Sequence, residues 1–148
     1  MIVISNSSPI IALSRCQQLH LFKELFGRIF IPHAVYEETV LECHFPLLQE
    51  SIAPAINDFI LVVNPAANYS FSRNLGKGER GVLNLAIEKR PDMLVMDDQK
   101  ARNEAKELGF LPSFTTDIIK KAAEKRKMIE SYDEIMNQLH TFGIYLPE

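Results

Sequence analysis

The chain has 148 residues, of which 47% are hydrophobic and 24% are charged, and its formal net charge is −3. This length suits one domain with a single core, predicted to span residues 1–148. The net charge excludes a protein that is basic overall, so any nucleic acid must be met by a local patch or through bound cations.

The two cysteines and the first residues of the chain indicate the cellular compartment. Cys16 and Cys43 fit neither a metal spacing nor a disulfide framework, which favours a reduced, cytoplasmic protein. The opening MIVISNSSP has no basic region and no cleavage site of a signal peptide. No apolar run approaches the ~18 residues of a membrane span. We therefore expect no association with a membrane.

Short apolar runs alternate with amphipathic segments along the whole chain. The β-branched run Ile2-Val3-Ile4 predicts a buried strand, and Ser8 and Pro9 after it predict the start of a helix. Further strands are predicted at 29–31, 59–63, 93–96 and 110–114. Further helices are predicted at 19–26, 33–42, 47–52, 79–89, 99–108, 116–127 and 131–141. This alternation indicates an α/β fold, a three-layer α/β/α domain with a central parallel sheet.

Three carboxylate signals fall at the ends of these elements. In open parallel sheets the ligand crevice lies beyond the carboxyl ends of the strands, where Asn6 is also predicted. Carboxylates that gather in one place repel each other unless a cation lies between them, so the pattern points to a hard divalent ion and phosphoryl chemistry. The three signals are Glu37-Glu38, Glu79 and Asp97-Asp98.

Each signal also has an ordinary structural explanation. Glu79 in a first helical turn can simply satisfy the helix dipole at the surface. Asp97-Asp98 before a helix is typical of an N-cap, and Glu37-Glu38 is typical of a solvated helix face. The coincidence of all three at one side of one fold favours the metal site without removing these alternatives.

Other motifs are weaker. Gly76-Lys77-Gly78 lacks the spacing of a phosphate-binding loop, and the histidines show no ligand spacing. Two basic groups could form a rim for a phosphate backbone, although a solvated helix face is the simpler interpretation. These groups are Lys100, Arg102 and Lys106, and Lys120, Lys121, Lys125, Arg126 and Lys127.

Several segments together resemble the PIN domain family, in particular a prokaryotic PIN-like branch of unknown function. The matching segments occur in family order and cover most of the chain: IVISNSSPIIALS, FGRIFIPHAVYEE, LGKGERGVLNLA, LVMDDQKARNEAKELGF and TTDIIKKAAEKRKMI. The resemblance implies a ribonuclease that depends on Mg²⁺ or Mn²⁺ and acts on RNA. It also implies a VapC-like toxin of a toxin–antitoxin pair, with an antitoxin protein as partner.

Carried across by this resemblance, the family's four acids fall on Asn6, Glu38, Glu79 and Asp98. Glu38, Glu79 and Asp98 are thereby predicted to be catalytic and to bind the metal. The resemblance further implies that Asn6 is a neutral ligand or water-holder, that Asp97 ligates or orients, and that Thr116 positions a phosphate. Thr115 stands where the family more usually has glycine.

Asn6 divides two hypotheses. An amide keeps a carbonyl oxygen but carries no charge, so the substitution predicts a weakened metal site. The alternative is a catalytically inactive PIN-like module that binds RNA or a protein. A homodimer is predicted for either, because PIN relatives commonly pair and because Leu19, Phe22 and Phe26 exceed what one sheet face needs. A phosphoacceptor receiver domain is disfavoured, since its acidic pair should follow the first strand.

Overall fold

The fold, taken from a computed structural model, is described for residues 1–124, 129 and 131–148. Four short parallel strands form one sheet in the order β3-β2-β1-β4. Each consists mostly of β-branched or large apolar residues, which suits a sheet buried on both faces. The strands are β1 (Val3–Ser5), β2 (Ile29–Ile31), β3 (Ile60–Val62) and β4 (Met93–Val95).

Helices cover the two faces of this sheet, as expected for a three-layer α/β domain. The α-helices in the described residues are α1 (Ser7–Arg15), α2 (Leu21–Phe26), α3 (His33–Tyr36), α4 (Pro46–Ile52), α5 (Lys77–Lys89), α6 (Gln99–Glu107), α7 (Thr115–Glu124) and α8 (Tyr132–Thr141), and a 3₁₀ turn, Ala53–Ala55, follows α4. Helix α8 is capped at its start by Ser131, whose side chain accepts a hydrogen bond from the backbone N–H of Glu134. Within the described ranges no helix is both long and apolar enough to cross a membrane.

Most predicted elements agree with the structure to within two residues, two differ in kind, and one extends beyond the described residues. The strand expected at 110–114 is wrong: only Ser113 pairs with β4, in an isolated bridge to Val95, and Pro112 beside it has no N–H to donate. The helix expected at 33–42 is divided, because a π-helical segment, Glu37–Leu41, follows α3. The helix expected at 116–127 begins at Thr115, and positions 125–127 lie outside the described residues.

The core removes one argument for a dimer. Leu19 is only 8% exposed and Phe22 is wholly buried, while Phe26 is partly buried against the core. The interpretation of these side chains as surplus surface is therefore wrong, because α2 and the turn before it pack them against the core.

The strand order creates a switch point between β1 and β4. From β1 the chain proceeds to β2 and β3 on one side, and it then returns to place β4 on the other side of β1. The two strands run in register from Val3 opposite Met93 to Ser5 opposite Val95. Ligand crevices in open α/β sheets form beyond the carboxyl ends of strands at such a point, where Asn6 and Asp97 emerge.

Candidate metal centre

Asn6 lies at the carboxyl end of β1 and is only 4% exposed. Its backbone N–H donates to the carbonyl of Val95 at 3.0 Å, which ties it to the neighbouring strand. It occupies the N-cap position of α1, yet its side chain makes no capping hydrogen bond. The carboxamide is therefore not committed to the helix.

Glu38 reaches the same edge from the π-helical segment. The hydroxyl of Ser7, the residue after Asn6, donates to Glu38 Oε2 at 2.6 Å. The other oxygen, Oε1, lies against the first turn of α5, where a Cβ on Gly78 would come within 2.5 Å of it. Local π-helical turns recur at functional sites, and here the extra residue per turn belongs to the segment that presents Glu38.

Glu79 lies on the first turn of α5, and its carboxylate folds back over the start of that helix. A Cβ on Gly76 would come within 2.7 Å of Glu79 Oε2. In the described chain this carboxylate accepts no hydrogen bond, and its position in the first turn places its charge at the favourable N-terminal end of the helix dipole. Gly76 and Gly78 thus each leave room for one carboxylate, a role that the sequence interpretation of Gly76-Lys77-Gly78 missed.

Asp98 follows β4 and caps the start of the next helix. Its Oδ2 accepts a hydrogen bond from the backbone N–H of Ala101 at 2.9 Å, as the N-cap of α6. The structural explanation for this acid is therefore correct for one of its oxygens. Its second oxygen remains for other partners, because Asp98 is exposed.

Asp97, its neighbour, is held by α7. It accepts hydrogen bonds from the backbone N–H of Thr115 at 2.8 Å and from the Thr115 hydroxyl at 2.6 Å. Burial raises the pKa of Asp97, while these hydrogen bonds and the nearby Arg102 guanidinium act to lower it. The side chain of Arg102 in turn donates to the carbonyl of Met96 at 3.0 Å and lies over the ring of Phe114. Asp97 therefore joins the turn after β4 to the start of α7.

Thr116 is wholly buried and already has a partner. Its hydroxyl donates to the carbonyl of Pro147 at 2.9 Å. Segment 144–147 also lines a cavity of about 380 Å³ together with Ser8, Asp97 and Asp98. In this conformation the hydroxyl predicted to position a phosphate is bound to the chain itself, and its role toward substrate stays a prediction.

The donor chemistry fits a hard divalent cation better than the arrangement does. Three carboxylates and one amide oxygen are the ligand types that Mg²⁺ accepts. Glu38 and Glu79 both lie against the first turn of α5, whereas no contact joins either of them to Asp98 in the described residues. Over the same residues, no group of three or more His, Cys, Asp or Glu side chains is arranged to hold a metal ion.

Comparison with known proteins identifies the kind of domain. A family model described as PIN domain matches residues 2–148. Among solved structures, the chain is similar to SSO1118, a PilT N-terminus domain protein from the hyperthermophilic archaeon Sulfolobus solfataricus P2. The two share 18% identity, with 85% of this chain and 97% of that chain covered, at a TM-score of 0.61. No curated protein matches the chain. The structural likeness supports the fold alone.

Proposed function

Because the chain belongs to the PIN domain family, whose members usually are metal-dependent nucleases, we propose that it is a divalent-metal-dependent ribonuclease whose activity is weakened at Asn6. The observation that supports this most is the position of Glu38. Its carboxylate is joined by Ser7 to the end of β1 and abuts the first turn of α5, which carries Glu79.

In this proposal Glu38, Glu79 and Asp98 hold Mg²⁺ or Mn²⁺. When bound, such an ion acidifies a water molecule and stabilises the charge that develops on the phosphate oxygens. Ser7 orients Glu38 through Oε2 and leaves Oε1 as the ligand. Asp98 caps α6 with Oδ2 and offers its other oxygen. Asp97 orients the turn through Thr115, and Thr116 positions a phosphate once its bond to Pro147 opens.

Asn6 sets the strength of the site. At the switch point its carbonyl oxygen can act as a neutral ligand or hold a water molecule, but it supplies no charge. Close carboxylates repel each other, and a cation between them relieves that repulsion, so each carboxylate adds to the attraction for the cation. Replacing one of the family's four acids by an amide therefore lowers affinity for the cation.

The alternative is an inactive PIN-like module that binds RNA or a protein. Two observations favour it: Asn6 itself, and the absence of a three-acid group within the residues that the structure describes. Both hypotheses use the same fold, so they differ only in whether the carboxylates bind a cation strongly enough for chemistry.

The test is Asn6→Asp. Restoring one charged ligand should strengthen Mn²⁺ binding by about 1–3 kcal/mol, which is roughly fivefold to 150-fold in affinity. Cleavage of single-stranded RNA with Mn²⁺ should rise in Asn6→Asp and disappear when Asp98→Asn is added. Asn137→Asp adds the same charge on the exposed face of α8 and should change neither quantity.

Two outcomes decide between the hypotheses. An intact Asn6→Asp protein that gains neither Mn²⁺ affinity nor cleavage would contradict the nuclease and favour the inactive module. Cleavage by the unmodified chain that Glu79→Gln abolishes would show that three acids suffice.

We further propose that the chain is the cytoplasmic toxin of a toxin–antitoxin pair and forms a homodimer. Four exposed apolar side chains support a protein-binding surface, and two of them lie over the guanidinium of Arg15. They are Leu41, Phe45, Leu47 and Phe142. Sedimentation at tens of micromolar should show a species of twice 16.9 kDa, or a complex with the product of a neighbouring gene. A monomer, both when the chain is alone and when the product of the neighbouring gene is added, would contradict this assembly.

A further inference from the structure

Segment 64–76, between β3 and α5, has no regular secondary structure, but α5 binds its backbone. Glu88 Oε1 accepts hydrogen bonds from the N–H groups of Ala66 at 2.6 Å and Ala67 at 2.9 Å. Asn84, only 3% exposed, accepts from the N–H of Tyr69 at 2.8 Å. The first half of the segment is therefore a pre-formed surface.

The second half is bound by α6. Glu104, with a side chain only 5% exposed, accepts hydrogen bonds from the backbone N–H groups of Ser72 and Arg73, both at 3.1 Å. Burial alone would raise the pKa of Glu104, but these bonds and the Arg73 guanidinium outweigh it and lower the pKa. Arg73 also donates to Glu107 at 2.8 Å, so two carboxylates neutralise its charge.

Two cavities of about 410 Å³ and 450 Å³ lie along this segment, and both include Asn68 and Arg80. We call them together the Arg80 groove. One turn earlier on α5, Lys77 donates to Glu37 at 3.0 Å, and His33 lies 3.2 Å from the same carboxylate. Within the described residues no carboxylate pairs with Arg80, which is exposed. Arg80 is therefore the positive charge of this groove that remains for a ligand.

Tyr69 provides a second kind of contact in the same groove. Its backbone is held by Asn84, while the residue is 47% exposed and lines the larger cavity beside Arg80. An exposed aromatic ring on a held backbone, next to a free guanidinium, is a combination that binds single-stranded nucleic acid: bases stack on the ring and a phosphate meets the cation. The asparagines of the groove, Asn64 and Asn68, add groups that can hydrogen-bond base edges.

Resting on the proposed function, we propose that the Arg80 groove binds a single-stranded segment of the RNA substrate, with a phosphate at Arg80 and a base stacked on Tyr69. Arg80 directly follows Glu79 on α5, so the groove and one proposed ligand of the metal centre lie on the same helical turn. An acidic peptide could meet Arg80, but it would not use the ring of Tyr69 for stacking. The observations therefore favour RNA.

The experiment measures fluorescence anisotropy of a labelled oligouridine of about ten nucleotides, a length within the site sizes of single-strand binders. It is done in EDTA, so that binding is measured without cleavage. Arg80→Gln should lower the slope of log affinity against log salt by about 0.7, the value for one phosphate contact on a single strand. Arg28→Gln removes the same charge directly before β2, at the amino ends of the strands, and should leave the slope unchanged.

Tyr69 is tested by a matched pair. Tyr69→Ala should weaken binding by about fivefold or more, whereas Tyr69→Phe keeps the ring and should bind like the unmodified chain. Crosslinking the unmodified protein to an oligonucleotide with 4-thiouridine should attach the base to the peptide that contains Tyr69. This readout needs no variant to fold. A DNA oligothymidine arm tells whether the groove distinguishes RNA from DNA.

The outcomes separate this proposal from the proposed function. Equal effects of Arg80→Gln and Arg28→Gln, crosslinks only elsewhere, or no binding in EDTA would each overturn the groove, even if cleavage occurs. Binding of a glutamate-rich peptide that depends on Arg80, without binding of RNA, would make an acidic protein the occupant. RNA binding that depends on Arg80 and Tyr69, with cleavage never observed, would retain the groove and refute the nuclease.

Discussion

The acids after β4 and the acids around α5 carry the same signature in the sequence but have different surroundings. Asp97 and Asp98 together accept three hydrogen bonds that hold the starts of α6 and α7. Glu38 accepts one, from a serine hydroxyl, and Glu79 accepts none in the described chain. Carboxylates bound by backbone N–H groups maintain the fold, Asp98 with one of its two oxygens, whereas the carboxylates that face glycines have no such structural role in the described residues.

Asp97→Ala tests the carboxylates that maintain the fold and has the largest expected effect. It would leave the N–H and hydroxyl of Thr115 buried without a partner, so we expect a loss of about 2–3 kcal/mol in the free energy of unfolding, measured with urea. Asp117→Ala is the control. Its carboxylate accepts from the N–H of Phe114 at an exposed position, and its loss should cost about 1 kcal/mol or less. Equal losses would contradict a special structural role for Asp97.

Gly78→Ala tests the carboxylates that face glycines and are proposed to bind the cation. The added Cβ would displace the end of the Glu38 side chain, while alanine favours the helix by about 1 kcal/mol. We expect Mn²⁺ affinity to fall about tenfold, which is about 1.4 kcal/mol, with the unfolding free energy nearly unchanged.

Gly81→Ala is the matched control on the same helix. There the Cβ would meet the rigid ring of Pro32 at 3.0 Å, and the overpacking, which costs about 1–3 kcal/mol, should exceed the gain of about 1 kcal/mol in helix propensity, so the unfolding free energy should fall. Its Mn²⁺ affinity should stay near that of the unmodified chain. Unchanged Mn²⁺ affinity in Gly78→Ala, with reduced affinity in Gly81→Ala, would show that Glu38 does not bind the cation.

Asp98 caps α6 and is also a proposed metal ligand, and two substitutions separate these roles. Asparagine is a good N-cap but carries no charge, so Asp98→Asn should keep thermal stability and lose Mn²⁺ affinity. Asp98→Ala should lose the same affinity and, in addition, about 1 kcal/mol of stability, because Ala101 loses its capping partner. Unchanged Mn²⁺ affinity in Asp98→Asn would leave Asp98 as a cap only.

Where the structure departs from the sequence predictions, tertiary contacts explain the difference. Pro112 and the single bridge at Ser113 reduce an expected fifth strand to one pairing. The apolar residues Leu19 and Phe22 give no sign in the sequence of whether they face a core or a partner, and the structure buries both. The hydrogen bonds of Asp97 come from Thr115, 18 residues further along the chain, a distance over which spacing says nothing.

The sequence by itself determined the fold class, the first four strands and most of the helices along the chain, the family, and the positions of the candidate acids. These follow from local hydrophobic periodicity, capping residues and short motifs, which act over a few residues. Only the tertiary structure decided which carboxylate oxygens are already bound, that Gly76 and Gly78 make room for Glu79 and Glu38, and that Thr116 binds Pro147. Those outcomes depend on contacts between residues far apart in the sequence, and such contacts exist only once the sheet has brought β1, β4 and α5 together.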